Sequence, residues 1–122
     1  MDLGVSTEPV AGGWLVEVSG EVDLHTAPQL RGALDSAVSS ATESPNAPSA
    51  VLVDLTGVGF MDSTGLGELM GAHKALQRAD AQLHLAVPQD RVRRLLTLTG
   101  LDDVLVVHPD RATGLQALAG IG

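Results

Sequence analysis

Cysteine is absent from the 122-residue chain. No disulfide framework and no thiolate site is therefore available, a composition that suits a reducing cytosol. Aromatics are nearly absent as well: one Trp, one Phe and no Tyr. The core has to be aliphatic, and a nucleobase finds almost nothing to stack on. Basic side chains are scarce, seven against fifteen acidic, and the net charge of −8 repels nucleic-acid backbones and anionic membranes. The one basic cluster, Arg91, Arg93 and Arg94, reads as a solvated helix face. No apolar stretch approaches the ~20 residues of a membrane span, and the opening MDLGVSTEPV has no basic segment leading into an apolar one. The expectation is a soluble, cytoplasmic chain that binds neither nucleic acid nor membrane.

Several catalytic patterns are missing too. Ser63 follows an apolar run, but a nucleophile elbow needs glycine two residues before the serine and two after; Gly65 meets the second need and Met61 breaks the first. His25, His73, His84 and His108 are scattered, with no triad order among them. Gly57, Gly59, Gly65 and Gly67 are dense, yet no Gly-Lys-Ser/Thr end and no dinucleotide fingerprint accompanies them. Asp23 and His25 lie close in sequence without a third metal ligand. Catalysis, metal and cofactor are not expected.

What is present is a chain of alternating periodicities. Leu3–Thr7 and Trp14–Ser19 read as strands joined by a turn through Pro9 and Gly12-Gly13. A capping box of Thr26 and Gln29, with Pro28 in the first turn, starts a helix whose apolar stripe is Leu30, Ala33, Leu34, Ala37 and Val38. Ser39–Ser49, SSATESPNAPS, reads as a surface loop. Val51-Leu52-Val53 is a strand covered on both faces. A glycine-punctuated turn then leads to a helix marked by Leu66, Leu69, Met70, His73 and Leu76. A strand at Leu83–Val87, a helix ending near Gly100, a short strand at Val104–Val107 and a last helix capped by Asp110 complete the order β-β-α-β-α-β-α-β-α. That order implies an α/β layer fold with a mostly parallel sheet of four to five strands, an antiparallel N-terminal strand and about four helices, in one domain over residues 1–122.

The richest segment is the junction Asp62-Ser63-Thr64-Gly65 at the mouth of the second helix. A hydroxyl there stands beside unpaired backbone N–H groups and the positive end of the helix dipole, a setting that tolerates an anion. The plainest reading makes Asp62 or Ser63 simply the helix cap, but three capping-type residues stand where one suffices. Gly67 and Gly71 leave one side of the helix bare. Either a second protein approaches there or the helix packs closely on its own sheet.

The run from Val51, VLVDLTGVGFMDSTGLGELMGAHKAL, closely resembles the signature of STAS-domain anti-sigma factor antagonists. WLVEVSGEVDLHTAPQLRGAL from Trp14 and VRRLLTLTGLDDVLVV from Val92 are similar to other parts of the family pattern, while the loop at residues 39–49 is longer and richer in proline. The resemblance implies a STAS fold and a partner-switching protein that is not an enzyme and has no cofactor. The unphosphorylated form would bind an anti-sigma factor with a histidine-kinase-like ATPase fold and so release a sigma factor. That anti-sigma factor would also be the kinase of Ser63, phosphorylation would end binding, and a serine phosphatase would reverse it. Asp23, Asp62, Ser63, Thr64, Gly65 and Gly67 are the partner-binding residues implied. The alternative is a STAS module that senses a small ligand such as a nucleotide, without a sigma circuit.

Overall fold

A computed structural model describes residues 2–43 and 49–121. In order along the chain come β1 (Gly4–Val10), β2 (Gly13–Val22), α1 (Ala27–Glu43), β3 (Ala50–Met61), α2 (Ser63–Arg78), β4 (Gln82–Ala86), α3 (Asp90–Thr99), a 3-10 turn (Leu101–Asp103), β5 (Val106–His108) and α4 (Arg111–Ala119). The strands form one sheet in the order β1-β2-β3-β4-β5, with β1 antiparallel to β2 and the remaining pairs parallel. The element order, the parallel sheet and the antiparallel first strand are those expected from the sequence.

Topology follows from handedness. Each step from β2 to β5 moves one strand in the same direction, and right-handed crossovers then put α1, α2 and α3 on a single face. Leu30, Leu34, Leu69, Leu76, Val92 and Leu96 of these helices bury against Val16, Val51, Val53, Leu55, Leu83 and Leu85 of the sheet. Leu118 of α4 covers the opposite face over Leu15, Ala50, Leu52 and Ala86. This is why Val51–Val53 is an uninterrupted apolar run: both faces are dry. Arg111 anchors the start of α4 to that second face. Its guanidinium reaches Glu17 of β2 at 3.1 Å, Glu8 of β1 at 3.7 Å and the buried Asp54 of β3 at 3.7 Å.

Four local expectations need correction. The segment read as a loop from Ser39 begins as helix: α1 continues to Glu43, Ala41 is fully buried, and Ser49 Oγ donates to Ala41 O at 2.9 Å. Residues 44–48 of that expected loop lie outside the described residues. Pro9 belongs to β1, and the turn is Ala11-Gly12. The capping box forms one turn early, between Asp23 and Thr26. Asp23 Oδ1 accepts from Thr26 N–H at 3.0 Å while Asp23 N–H donates back to Thr26 Oγ1 at 3.0 Å. Gln29 is spent elsewhere, accepting from Leu3 N–H at 2.8 Å. Finally, the glycine-rich stretch Gly57–Gly59 does not end the strand. β3 runs on to Met61 through two irregularities, each inserting one extra residue of β3 relative to β2, one between Asp54 and Gly57 and one between Val58 and Phe60.

Candidate functional site

The two bulges decide where β3 ends. They turn Val58 and Met61 into the core and leave Gly59 and Phe60 outside. Gln89, just before α3, fixes the distortion by donating from Nε2 to Leu55 O and Val58 O, each at 2.7 Å. β3 therefore reaches its last pair, Met61 opposite Val22, in step with β2. Asp62 N–H then donates to Val22 O at 3.1 Å. The residues after this pair, Asp23 on one side and Asp62-Ser63 on the other, emerge side by side from neighbouring parallel strands. Carboxyl ends of parallel strands are where such folds place their sites.

Asp62 is the cap of α2. Its backbone is extended, and its Oδ1 accepts from Thr64 N–H at 2.9 Å and Gly65 N–H at 3.4 Å. This answers the question of which residue caps, and it leaves Ser63 without a structural duty. Ser63 is the first helical residue, it is exposed, and among the described residues its Oγ makes no hydrogen bond. Thr64 is half-buried behind it. Across the gap, Asp23 Oδ1 accepts from His25 N–H at 2.9 Å as well as from Thr26. The Thr26 N–H, seconded by that of His25, holds the Asp23 carboxyl below the usual aspartate range. A second negative group at Ser63 would meet a carboxylate that stays ionised.

The glycines of α2 divide into two kinds. Gly65 is buried, and a Cβ there would stand 2.6 Å from Val22 Cγ1 and 2.9 Å from Met61 Cγ. It lets the helix start lie on the ends of β2 and β3, so close packing on the sheet requires a glycine at this position. Gly67 and Gly71 are exposed, and a Cβ on either would meet nothing within 4 Å. Ser63, Gly67 and Gly71 recur every four residues and share one side of the helix. Internal packing accounts for Gly65 alone. The exposed Leu24 and Phe60, on the Asp23 loop and at the end of β3, carry the surface away from α2.

Other candidates separate. His25 is exposed and His73 half-buried on α2, as expected of a solvated and a packing histidine. His84 of β4 and His108 of β5 meet, a contact that spacing alone did not reveal. His84 Nδ1 lies 2.9 Å from His108 Nε2, and the rings are nearly coplanar, 13° apart, with centroids separated by 5.1 Å. That geometry is two imidazoles edge to edge sharing a hydrogen. Gln82 Oε1, 3.2 Å from His84 Nε2, accepts there, so Nδ1 is left to accept from His108. Burial, and then the proximity of His108, lowers the His84 pKa to about 4. Among the described residues no three His, Asp or Glu side chains converge as a metal site, and no helix is long and apolar enough to cross a membrane.

Comparison with known proteins adds the family. Residues 6–114 match the STAS domain model. An anti-sigma-B factor antagonist of Staphylococcus aureus is 35% identical over 108 residues, covering 88% of this chain and 94% of that protein. The Listeria monocytogenes anti-sigma-B factor antagonist is 40% identical over 90 residues, 74% of each chain. The crystal structure of an anti-sigma factor antagonist from Mycobacterium paratuberculosis superposes with a TM-score of 0.83 at 30% identity, covering 95% of this chain and 93% of that one.

Proposed function

This chain belongs to the STAS domain family, and from that premise we propose that it is an anti-sigma factor antagonist switched at Ser63. The unphosphorylated form binds an anti-sigma factor of histidine-kinase-like ATPase fold and thereby frees a sigma factor. The same anti-sigma factor transfers phosphate to Ser63, and a serine phosphatase removes it. The chain itself is a binding protein and a kinase substrate. One observation carries this reading: Asp62 does the capping, so Ser63 keeps a free, exposed hydroxyl at the open start of α2, beside the bare side of Gly67 and Gly71. Relatives named as antagonists, similar over most of their length, support it.

Local physics makes the switch abrupt. A phosphoserine brings a charge of roughly −1.5 to −2 and three strong acceptors. The N-terminus of α2 tolerates the anion, so the free protein need not rearrange. The partner meets a larger, charged group framed by Asp62 and Asp23, in a surface fitted to a neutral hydroxyl. Unpaired, desolvated charge of this kind costs several kcal/mol, about a hundredfold or more in affinity.

The test is phosphorylation with anti-sigma kinase and ATP, followed by mapping of the phosphosite. Phosphate is expected on Ser63 and not on the neighbouring Thr64, which is half-buried. Ser63→Ala is expected to stay folded, to bind constitutively and to take up no phosphate. Phosphate entering Ser63→Ala at the wild-type rate contradicts the assignment.

A further inference from the structure

The three arginines near the start of α3 part company in the structure. Arg93 turns inward, and its Nη2 donates to Val87 O at 3.0 Å. Arg91 and Arg94 are exposed, and among the described residues no carboxylate comes within ion-pair distance of either. By helical spacing they share their side of α3 with Leu98, three and seven residues on from Arg91. Leu98 is 77% exposed, more than any other large hydrophobic side chain among the described residues. Arg91 stands in the first turn, where the helix dipole disfavours a cation. A chain of net charge −8 with seven basic residues has thus gathered two unpaired cations and an unburied leucine on one stripe.

The stripe lies on the helix that follows α2 on the same face of the sheet. α2 and α3 follow neighbouring parallel strands, lie on the same sheet face, and begin at the same end of the sheet. Gln89 ties the start of α3 directly to the bulge of β3 that positions Asp62. A body docked over Ser63 is therefore within reach of α3.

We propose that the outward stripe Arg91–Arg94–Leu98 is a second docking surface for the anti-sigma kinase, taking a carboxylate-bearing segment of that partner with an apolar side chain against Leu98. The proposal rests on the antagonist reading above. Its contacts are those of a basic, partly apolar helix face: the arginines supply steering and salt-sensitive attraction, and Leu98 supplies the buried contact. Phosphorylation of Ser63 leaves this stripe unchanged, so it gives the partner a residual hold on the phosphorylated form.

Calorimetric titration of the anti-sigma kinase with the full chain, at low and at high salt, tests it. Arg91→Glu/Arg94→Glu is expected to weaken binding about tenfold and to remove most of its salt dependence, whereas Arg91→Lys/Arg94→Lys stays within about threefold of wild type. Leu98→Gln is expected to weaken binding several-fold without changing the salt dependence. Circular dichroism should show the charge-reversal variant melting no earlier than wild type, because glutamate suits the first turn of a helix. If the reversal variant binds as wild type does, with the same salt dependence, while Gly67→Leu loses binding, the α3 surface is refuted and the antagonist reading stands. If wild type does not bind the kinase, the antagonist reading fails and the α3 proposal falls with it.

Discussion

Gly67→Leu is expected to abolish binding to the anti-sigma kinase while leaving the protein folded and at least as stable. The side chain would project into open solvent, since a Cβ at this position meets nothing within 4 Å. Glycine inside a helix costs about 0.5–1 kcal/mol relative to alanine, so Gly67→Ala should raise stability by about that amount. Gly65→Ala, two residues earlier, should do the reverse. Its Cβ would press on Val22 and Met61, and overpacking of that kind costs about 1–3 kcal/mol. Urea unfolding of the three variants checks the signs, and calorimetry with the kinase checks the function. A Gly67→Leu protein that still binds as wild type would show that the bare side of α2 is not a contact. No internal reason would then remain for a glycine there.

The second large effect is on stability against acid. His84 is 4% exposed and its pKa in the folded protein is about 4, against 6.5 for an unperturbed histidine. Between these values the unfolded chain binds a proton that the folded chain refuses, so stability must fall as pH falls across that window. The contribution is complete above about pH 6.5 and gone near pH 4, and at most about 3 kcal/mol is lost on the way. The groups around His84 agree with this direction. His108 repels a second proton, Gln82 already accepts from Nε2, and Asp110, two residues beyond His108, is turned to capping α4 through Thr113 N–H. Urea unfolding at pH 7 and pH 4.5 should show the loss in wild type and a much smaller one in His84→Gln. An equal loss in both would place the acid sensitivity elsewhere.

Much of this was legible in the residues, and the exceptions have physical causes. The alternation of apolar periods was enough for the order of elements, because strands buried on both faces and helices with one apolar stripe leave different patterns. The placement of Ser63 at a helix start was legible for the same reason. The end of α1 was not, since Ser39, Ser40, Thr42 and Glu43 look like loop residues; only Ala37 and Ala41, four apart and both fully buried, carry the helix further. The continuation of β3 through Gly57 and Gly59 depends on tertiary bonds from Gln89 that no local window contains. The different roles of Gly65 and Gly67 had a signal that was available: Gly65 falls in line with the buried Leu69, Ala72 and Leu76, and Gly67 does not. The meeting of His84 and His108 required the register of β4 against β5, where Ala86 pairs with His108.

The central claim is that a neutral Ser63 hydroxyl, on a rigid helix start, is the condition for binding. The most direct measurement is the affinity of the chain for its anti-sigma kinase before and after stoichiometric phosphorylation, with amide NMR spectra of the free protein in both states. The account predicts a loss of about a hundredfold or more, with shifts confined to Asp62–Glu68 and the neighbourhood of Asp23. Equal affinity in the two states, or shifts spread through Arg111–Ala119 of α4, would contradict it.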